Sequence, residues 1–312
     1  MSDTDCPSAS AWPEHYPGRL RIVLGVGPSD DGTEALAARL ADESDDVVVV
    51  PNPSGRTPSA LNAAIRASQA PVIVRVDGHS RLSVGYVERA VAVLRDTGAG
   101  NVGGRQVPTP ETDLEAAVAA ATTSWMGTGG ASYRTGTTPG PTDTVYLGVF
   151  DRAAIESVGL FDEHLIRNQD YELNIRLRNA GHTVWLDPLL WVGYRPRGTW
   201  TGLARQYFEY GRWKAEVLRM HPSSLRLREF VPPVAEGAVV VGEIAGLRWR
   251  EALAAPALYA IALLSASRGR PRIARALATI HGTWAAGLVV GLGDGEAARL
   301  AQSSTAAEAG PA

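Results

Sequence analysis

The chain has 312 residues, 45% of them hydrophobic, with 33 acidic against 30 basic residues and a net charge of -3. That is enough apolar material for one large domain or two smaller ones, and the near balance of charge excludes a general nucleic-acid binder, which carries a strongly basic face with aromatic platforms. Cys6 is the sole cysteine, in a polar stretch with Ser and Pro, which excludes a disulfide framework and a thiolate zinc site.

Residues 1–16 lack the basic start and apolar core of a signal peptide, so a disordered leader and a cytoplasmic catalytic part are expected. Leu20–Val26 then reads as a short apolar strand, Thr33–Ala41 as a helix and Val47–Val50 as a second strand. Ser59–Ala67 makes the next helix, Val72–Val76 another strand and Val84–Arg95 another helix. Strands alternating with helices predict an α/β fold with a doubly wound, mostly parallel sheet covered on both faces. The pair Gly25-Val-Gly27 lacks the third glycine of a dinucleotide-binding fingerprint, because Asp30 stands there. Asp30 and Asp31, before Gly32, either face a ligand or cap the helix that starts at Thr33.

The strand Val72–Val76 delivers Asp77, Gly78 and His79 at its end. Ligands bind at strand ends in open α/β sheets, and a carboxylate one glycine away from an imidazole can reach a divalent cation held by a diphosphate. A plain turn is the alternative. Gly127–Thr144, rich in Gly and Thr, has neither helical nor strand period and predicts a mobile loop. Tyr146–Arg152 and Val158–Glu163 then read as a strand, a short helix and a glycine turn. They lead into Asn168-Gln-Asp-Tyr-Glu172 at the start of a helix. Carboxylates in a first turn commonly serve as caps, but two acidic sites on one sheet edge suggest a metal ligand plus a base.

From about Tyr16 to Leu292 the chain resembles the inverting family 2 glycosyltransferases, of glycosyltransferase A fold, and within them the bacterial exopolysaccharide branch that includes the succinoglycan transferases. The resemblance rests on Gly27-Pro-Ser-Asp-Asp-Gly-Thr33, Arg56-Thr-Pro-Ser-Ala-Leu-Asn62, Asp77-Gly-His79, Gly148-Val-Phe150, Asn168-Gln-Asp-Tyr-Glu172 and Gln206-Tyr-Phe-Glu-Tyr-Gly-Arg-Trp213. It implies a nucleotide-sugar donor, Mg²⁺ or Mn²⁺ under the diphosphate, and direct displacement at the anomeric carbon by an acceptor hydroxyl. Carried onto this chain, it implies donor contacts from Asp31, Arg56, Asn62 and Asp77, metal ligation by Asp77 and His79, and Asp170 as the base. The residue before that base, usually acidic in the family, is Gln169 here, which removes a like charge from its side. Relatives open with a further strand and helix before the segment matching Arg21–Gly27. The chain enters the resemblance at His15-Tyr-Pro-Gly18, so a misplaced start or a truncation is expected.

Gln206–Trp213 resembles a signature that borders the acceptor sugar in processive relatives, which implies acceptor contacts from Gln206, Arg212 and Trp213; an amphipathic helix with core aromatics is the alternative. From Arg195 to Arg228 the basic residues outnumber Glu209 and Glu216, a strip that suits an anionic membrane surface or a lipid diphosphate. Val231–Leu247 is apolar but interrupted by Glu236 and Glu243. Ala252–Ala266 is uncharged but shorter than the roughly 20 residues that span a bilayer, and Ala276–Gly293 is the better spanning candidate.

These readings predict a catalytic domain over residues 17–230, an apolar helical membrane-associated region over 231–295 and a disordered tail over 296–312. The expected protein is a metal-dependent hexosyltransferase of exopolysaccharide and cell-envelope biosynthesis. It would act at the cytoplasmic face of the cell membrane on a lipid-linked or polysaccharide acceptor, with no nucleic-acid partner. The alternative is a non-catalytic remnant that binds sugar nucleotides or glycans. Asp77→Asn is expected to abolish metal-dependent donor binding and leave the fold intact.

Overall fold

A computed structural model describes residues 16–78, 80–224 and 226–308. The expected leader, apart from Tyr16, and His79 lie outside the described residues. In chain order the elements are β1 (Ile22–Val26), α1 (Thr33–Glu43), β2 (Val47–Pro51), α2 (Thr57–Arg66), β3 (Val72–Val74), β4 (Arg81–Leu82), α3 (Tyr86–Thr97) and β5 (Asn101–Pro108). There follow α4 (Asp113–Thr122), α5 (Trp125–Thr128), α6 (Ser132–Thr135), β6 (Gly140–Pro141), β7 (Tyr146–Asp151), α7 (Arg152–Ser157), α8 (Gln169–Asn179) and β8 (Val184–Tyr194). The chain ends in helices α9 (Trp200–Met220), α10 (Leu227–Gly246), α11 (Ala254–Ala266) and α12 (Pro271–Glu308).

The chain divides into two compact units, one of residues up to Val107 with Gly136–Tyr194, the other of Pro108–Thr135 with the residues from Arg195 onward. This division falls at 194/195 where the sequence reading sets a boundary near residue 230, and residues 108–135 group with the helices. The reason lies in their partners. Asp113 at the start of α4 pairs with Arg272 at 2.8 Å, and the Met126 carbonyl in α5 lies 2.8 Å from His281 Nε2 in α12.

In the first unit β1 and β2 pair in parallel, Ile22 opposite Val47 and Val26 opposite Pro51, as expected of β-branched strands joined by a helical crossover. The other strands form a sheet in the order β3-β7-β5-β8-β4, with β6 on β8. β7 is antiparallel to both β3 and β5, so those two run the same way, as their connection through α3 predicts. β7 arrives after a long excursion and enters between them in the opposite direction, and β4 and β6 also pair antiparallel with β8. Both faces are covered. Ile65 of α2, Ile155 of α7 and Leu173 and Leu177 of α8 pack with Phe150 and Val184 in one layer. Tyr86, Ala90 and Leu94 of α3 pack with Val102, Val149 and Leu190 in the other. Leu173 and Leu177 are fully buried at i, i+4 spacing on α8, each worth about 1.5–3 kcal/mol of burial.

The Gly- and Thr-rich segment expected as a loop contains α6 and β6, the latter pairing Gly140 with Leu186. Ladder partners on β8 supply the order that its composition lacks. In the second unit Val118 and Ala121 of α4, Leu203 and Tyr207 of α9, Leu263 of α11 and Leu277 and Ile280 of α12 form one core. α12 continues to Glu308, so the expected tail is helical to that point. Its Ala- and Glu-containing sequence favours a helix.

Candidate active site

Arg75 is the centre of the site in the first unit. β3 stops at Val74, short of the expected Val76, and Arg75 N–H donates to the Gly148 carbonyl at 3.2 Å. Gly148 has φ 65° and the preceding Leu147 φ 61°. That left-handed pair belongs to the irregular stretch of β7, where its register against β5 shifts, and Leu147 holds a conformation costing about 1 kcal/mol or more. The Arg75 side chain, only 6% exposed, donates through Nε and Nη2 to the two carboxylate oxygens of Asp77 at 3.0 and 3.2 Å. Its guanidinium also lies 5.7 Å from the Phe161 ring centroid. Burial disfavours its charge, yet the carboxylates of Asp77 and then Asp170 outweigh that penalty and hold its pKa above the ordinary value. One buried cation thus senses both carboxylates that the sequence singles out.

Asp77 sits in a turn closed by Ser80 N–H on its carbonyl at 2.9 Å. Asp170 is the second residue of α8, whose N-cap Asn168 is left-handed, and its Oδ1 accepts from Tyr171 N–H at 2.9 Å. It is half-buried, open enough for a proton acceptor. Glu172, two residues on, is fully buried, and Arg176 grips both its oxygens at 2.7 Å while also donating to the Val158 and Leu160 carbonyls. The two carboxylates of this motif are sorted by burial: Glu172 anchors the glycine turn before α8, and Asp170 faces outward.

Asn62 is buried. Its amide N–H groups donate to the Phe161 carbonyl and Glu163 Oε1, both at 2.8 Å, and its oxygen accepts from Phe161 N–H at 3.0 Å. Asn62 ties α2 to the turn at 161–163, and both its amide hydrogens have protein partners. Arg56, exposed at the N-terminus of α2, reaches the Glu163 carbonyl at 3.5 Å. Asp31 is exposed and accepts from Ser29 and from the N–H and hydroxyl of Thr33. These hydrogen bonds, Ser29 first and then Thr33, lower its pKa to about 2. Asp31 thus closes a turn onto Thr33, the first residue of α1, whose N-cap is Gly32.

Gln206, Arg212 and Trp213 lie on α9 in the other unit. Gln206 donates to Tyr210 Oη at 3.0 Å, Arg212 pairs with Asp294 at 2.9 Å, and Trp213 is half-exposed. The tyrosines of the motif pack against each other, Tyr207 edge to face with Tyr210 at 5.6 Å.

Sequence reasoning passed over Arg75 and Glu163. A lone arginine inside the apolar run Val72–Val76 is the signal for the first, because a buried guanidinium requires a carboxylate partner. Glu163 accepts from Ser59 at 2.8 Å and pairs with Arg66 at 3.7 Å as well as holding Asn62; nothing local foretells that cluster.

The sequence pattern described as Glycosyl transferase family 2 matches residues 10–159. The chain is 32% identical over 234 residues to the succinoglycan biosynthesis protein ExoA of Rhizobium meliloti (strain 1021), a match covering 73% of this chain and 71% of that one. Among solved structures, the mannosyltransferase PcManGT from Pyrobaculum calidifontis in complex with GDP-Man and Mn²⁺ superposes with a TM-score of 0.59 at 20% identity, over 88% of this chain and 78% of that one, which shows a common fold. With the α/β architecture and the extent of the match to ExoA, the chain belongs to glycosyltransferase family 2 and is a glycosyltransferase.

Proposed function

We propose that this enzyme transfers a sugar, with inversion, from a nucleotide-sugar donor to a lipid-linked or polysaccharide acceptor in exopolysaccharide biosynthesis, at the cytoplasmic face of the membrane and with Mg²⁺ or Mn²⁺. The observation that carries the reading is Arg75, whose buried guanidinium is bonded to Asp77 and whose charge is favoured by the carboxylates of Asp77 and then Asp170. The relative ExoA is a succinoglycan biosynthesis protein, and the structural neighbour carries GDP-Man and Mn²⁺.

A divalent cation fits the donor chemistry at Asp77. No cluster of three or more candidate ligands occurs among the described residues. A hard cation anchored through one or two carboxylates plus substrate phosphates requires none. The Ser80 hydroxyl, buried without a partner in the same turn, is a further hard oxygen. Asp77, with His79 two positions on in the sequence, would hold the ion, which would neutralise charge on the departing diphosphate. Asp170 accepts the proton of the acceptor hydroxyl as the hydroxyl oxygen bonds to the anomeric carbon. The bond from that carbon to the diphosphate oxygen breaks, and the nucleoside diphosphate leaves with its electron pair.

The test is a screen of sugar nucleotides for Mn²⁺-dependent transfer to a polyprenyl-linked saccharide, with the product anomer read by NMR. Transfer with inversion supports the reading. Retention would reject it, and donor binding without turnover would return the scaffold alternative.

A further inference from the structure

The helix α8 that carries Asp170 is held largely through polar groups. Asn168 at its N-cap makes no side-chain capping bond, and of its six buried residues three, Gln169, Glu172 and Asn174, are polar. A polar buried face is held by hydrogen bonds, and because these are directional they fix the rotation of a helix about its axis as well as its burial. Glu172 and Arg176 supply one such hold, on the turn at 158–160.

Asn174 supplies a second, about 160° round the helix from Glu172. Its Oδ1 accepts from Asn101 Nδ2 at 2.7 Å, and its Nδ2 donates to Thr144 Oγ1 at 2.9 Å. All three side chains are buried. They come from β5, α8 and the stretch before β7, with Asn101 and Thr144 lying 73 and 30 residues from Asn174 in sequence. Asn101 Oδ1 has no hydrogen-bond partner among the described residues, so the buried Asn101 amide depends on Asn174. Apolar side chains would fill the same space with no polar group to satisfy. What the amides add is direction.

The same cluster touches the other half of the site. Asn101 stands opposite Phe150 in the β5–β7 ladder, and a Cβ on Gly148 would fall 2.7 Å from Asn101 Oδ1. Gly148 is the residue whose carbonyl receives Arg75 N–H. α8 is thereby registered against the strand that also fixes the backbone of Arg75, two residues from Asp77. Asp170 precedes Asn174 by four residues, on the same side of the helix. A rotation of about 10° moves an atom about 6 Å from the helix axis by about 1 Å, and a displacement of that size can lower a rate by about 10²-fold.

The geometry points to Asn174, held by Asn101 and Thr144, as a positioning residue for sugar transfer: it fixes the rotation of α8 and so the aim of the Asp170 carboxylate at the acceptor hydroxyl. This deepens the proposed function and rests on Asp170 as the base.

The experiment compares Asn174→Ala, Thr144→Val and Thr144→Ser with Asp170→Asn and wild type, in the full chain. Thr144→Val keeps the shape of the side chain and removes its hydroxyl, so it folds even where a truncation inside the core does not. Single-turnover transfer is measured with the sugar nucleotide that turns over in the screen above, affinity for that nucleotide with Mn²⁺ by titration calorimetry, and hydrogen exchange of α8 by mass spectrometry. Asn174→Ala and Thr144→Val should each transfer about 10- to 10²-fold more slowly, with donor affinity within about twofold of wild type. α8 should exchange faster, while α3, which packs on the other face of the sheet, exchanges as before. Thr144→Ser should recover most of the rate that Thr144→Val loses. Rate and donor affinity falling together, or faster exchange throughout the unit, would reduce the cluster to a support of the fold and overturn the inference, as would a Thr144→Ser rate no better than that of Thr144→Val. Wild-type transfer in both Asn174→Ala and Thr144→Val, beside an Asp170→Asn that has lost it, rejects the positioning role and leaves the base standing. Wild-type transfer in Asp170→Asn itself rejects the base, and the positioning role with it.

Discussion

Arg75 and Asp77, two residues apart at the end of β3, are joined by two parallel N–H···O bonds, Nε to Oδ1 at 3.0 Å and Nη2 to Oδ2 at 3.2 Å. A forked pair of this kind fixes the plane of the carboxylate as well as its position. The proposed metal-binding group is therefore oriented before any ligand arrives, by a guanidinium that also feels Asp170.

Asp77→Asn consequently has two effects where the sequence suggests one. It removes Mn²⁺-dependent donor binding, measured by titration calorimetry, and it also leaves the buried Arg75 with half its charge partner. A stability loss of about 1–3 kcal/mol is expected, read from urea unfolding. The fold is expected to stay intact, as the sequence suggests, with a smaller stability margin. Donor affinity equal to wild type would move the metal away from Asp77.

Asp170→Asn and Glu172→Gln should separate chemistry from architecture. The first lowers single-turnover transfer by about 10²-fold or more with donor affinity kept. The second breaks the grip of Arg176 and costs about 3 kcal/mol of stability. If Glu172→Gln kept wild-type stability but lost transfer, the base would be Glu172.

Glu163 gives a pH-dependent signal. Hydrogen bonds from Asn62 first and then Ser59 outweigh the burial penalty and, with the charge of Arg66, hold its carboxyl below the ordinary value of 4.5. A depressed folded-state pKa contributes stability that is present above the unfolded value and is lost as pH falls through the folded one. Wild type should melt higher than Glu163→Gln at pH 7, and the gap should shrink as the pH falls below 4.5 and close as it passes through the lower folded-state value. A gap that is constant across this range would mean that the charge contributes nothing.

Gly287→Ala should loosen the helical unit. An added Cβ meets the Phe208 carbonyl and the Arg212 backbone, groups that cannot swing aside as a side-chain end can. A loss of about 1–3 kcal/mol is expected from such overpacking. Gly293→Ala, where a Cβ meets nothing within 4 Å, is the control. Equal melting temperatures for the two variants would show that α9 and α12 can separate at no cost.

Hydrophobic period, strand-end acids and glycine turns are local, and they were enough to determine the alternation of β1 to α3, the delivery of Asp77 at the end of β3 and the start of α8 beside Asp170. Four of the six family landmarks lie in those same segments, so the class of enzyme was legible there too. What each of these residues is buried against is not a local property. Only the tertiary structure brought the charge of Asp170 to bear on Arg75, since Asp170 is distant in sequence, and only it tied Asn62 to the turn at 161–163. It also separated Asp170 from Glu172, which share one motif and differ in whether Arg176 reaches them. The direction of β7, the transfer of residues 108–135 to the helices and the burial of α12 against α9 were decided the same way, because an apolar face specifies that it will be covered and not by what.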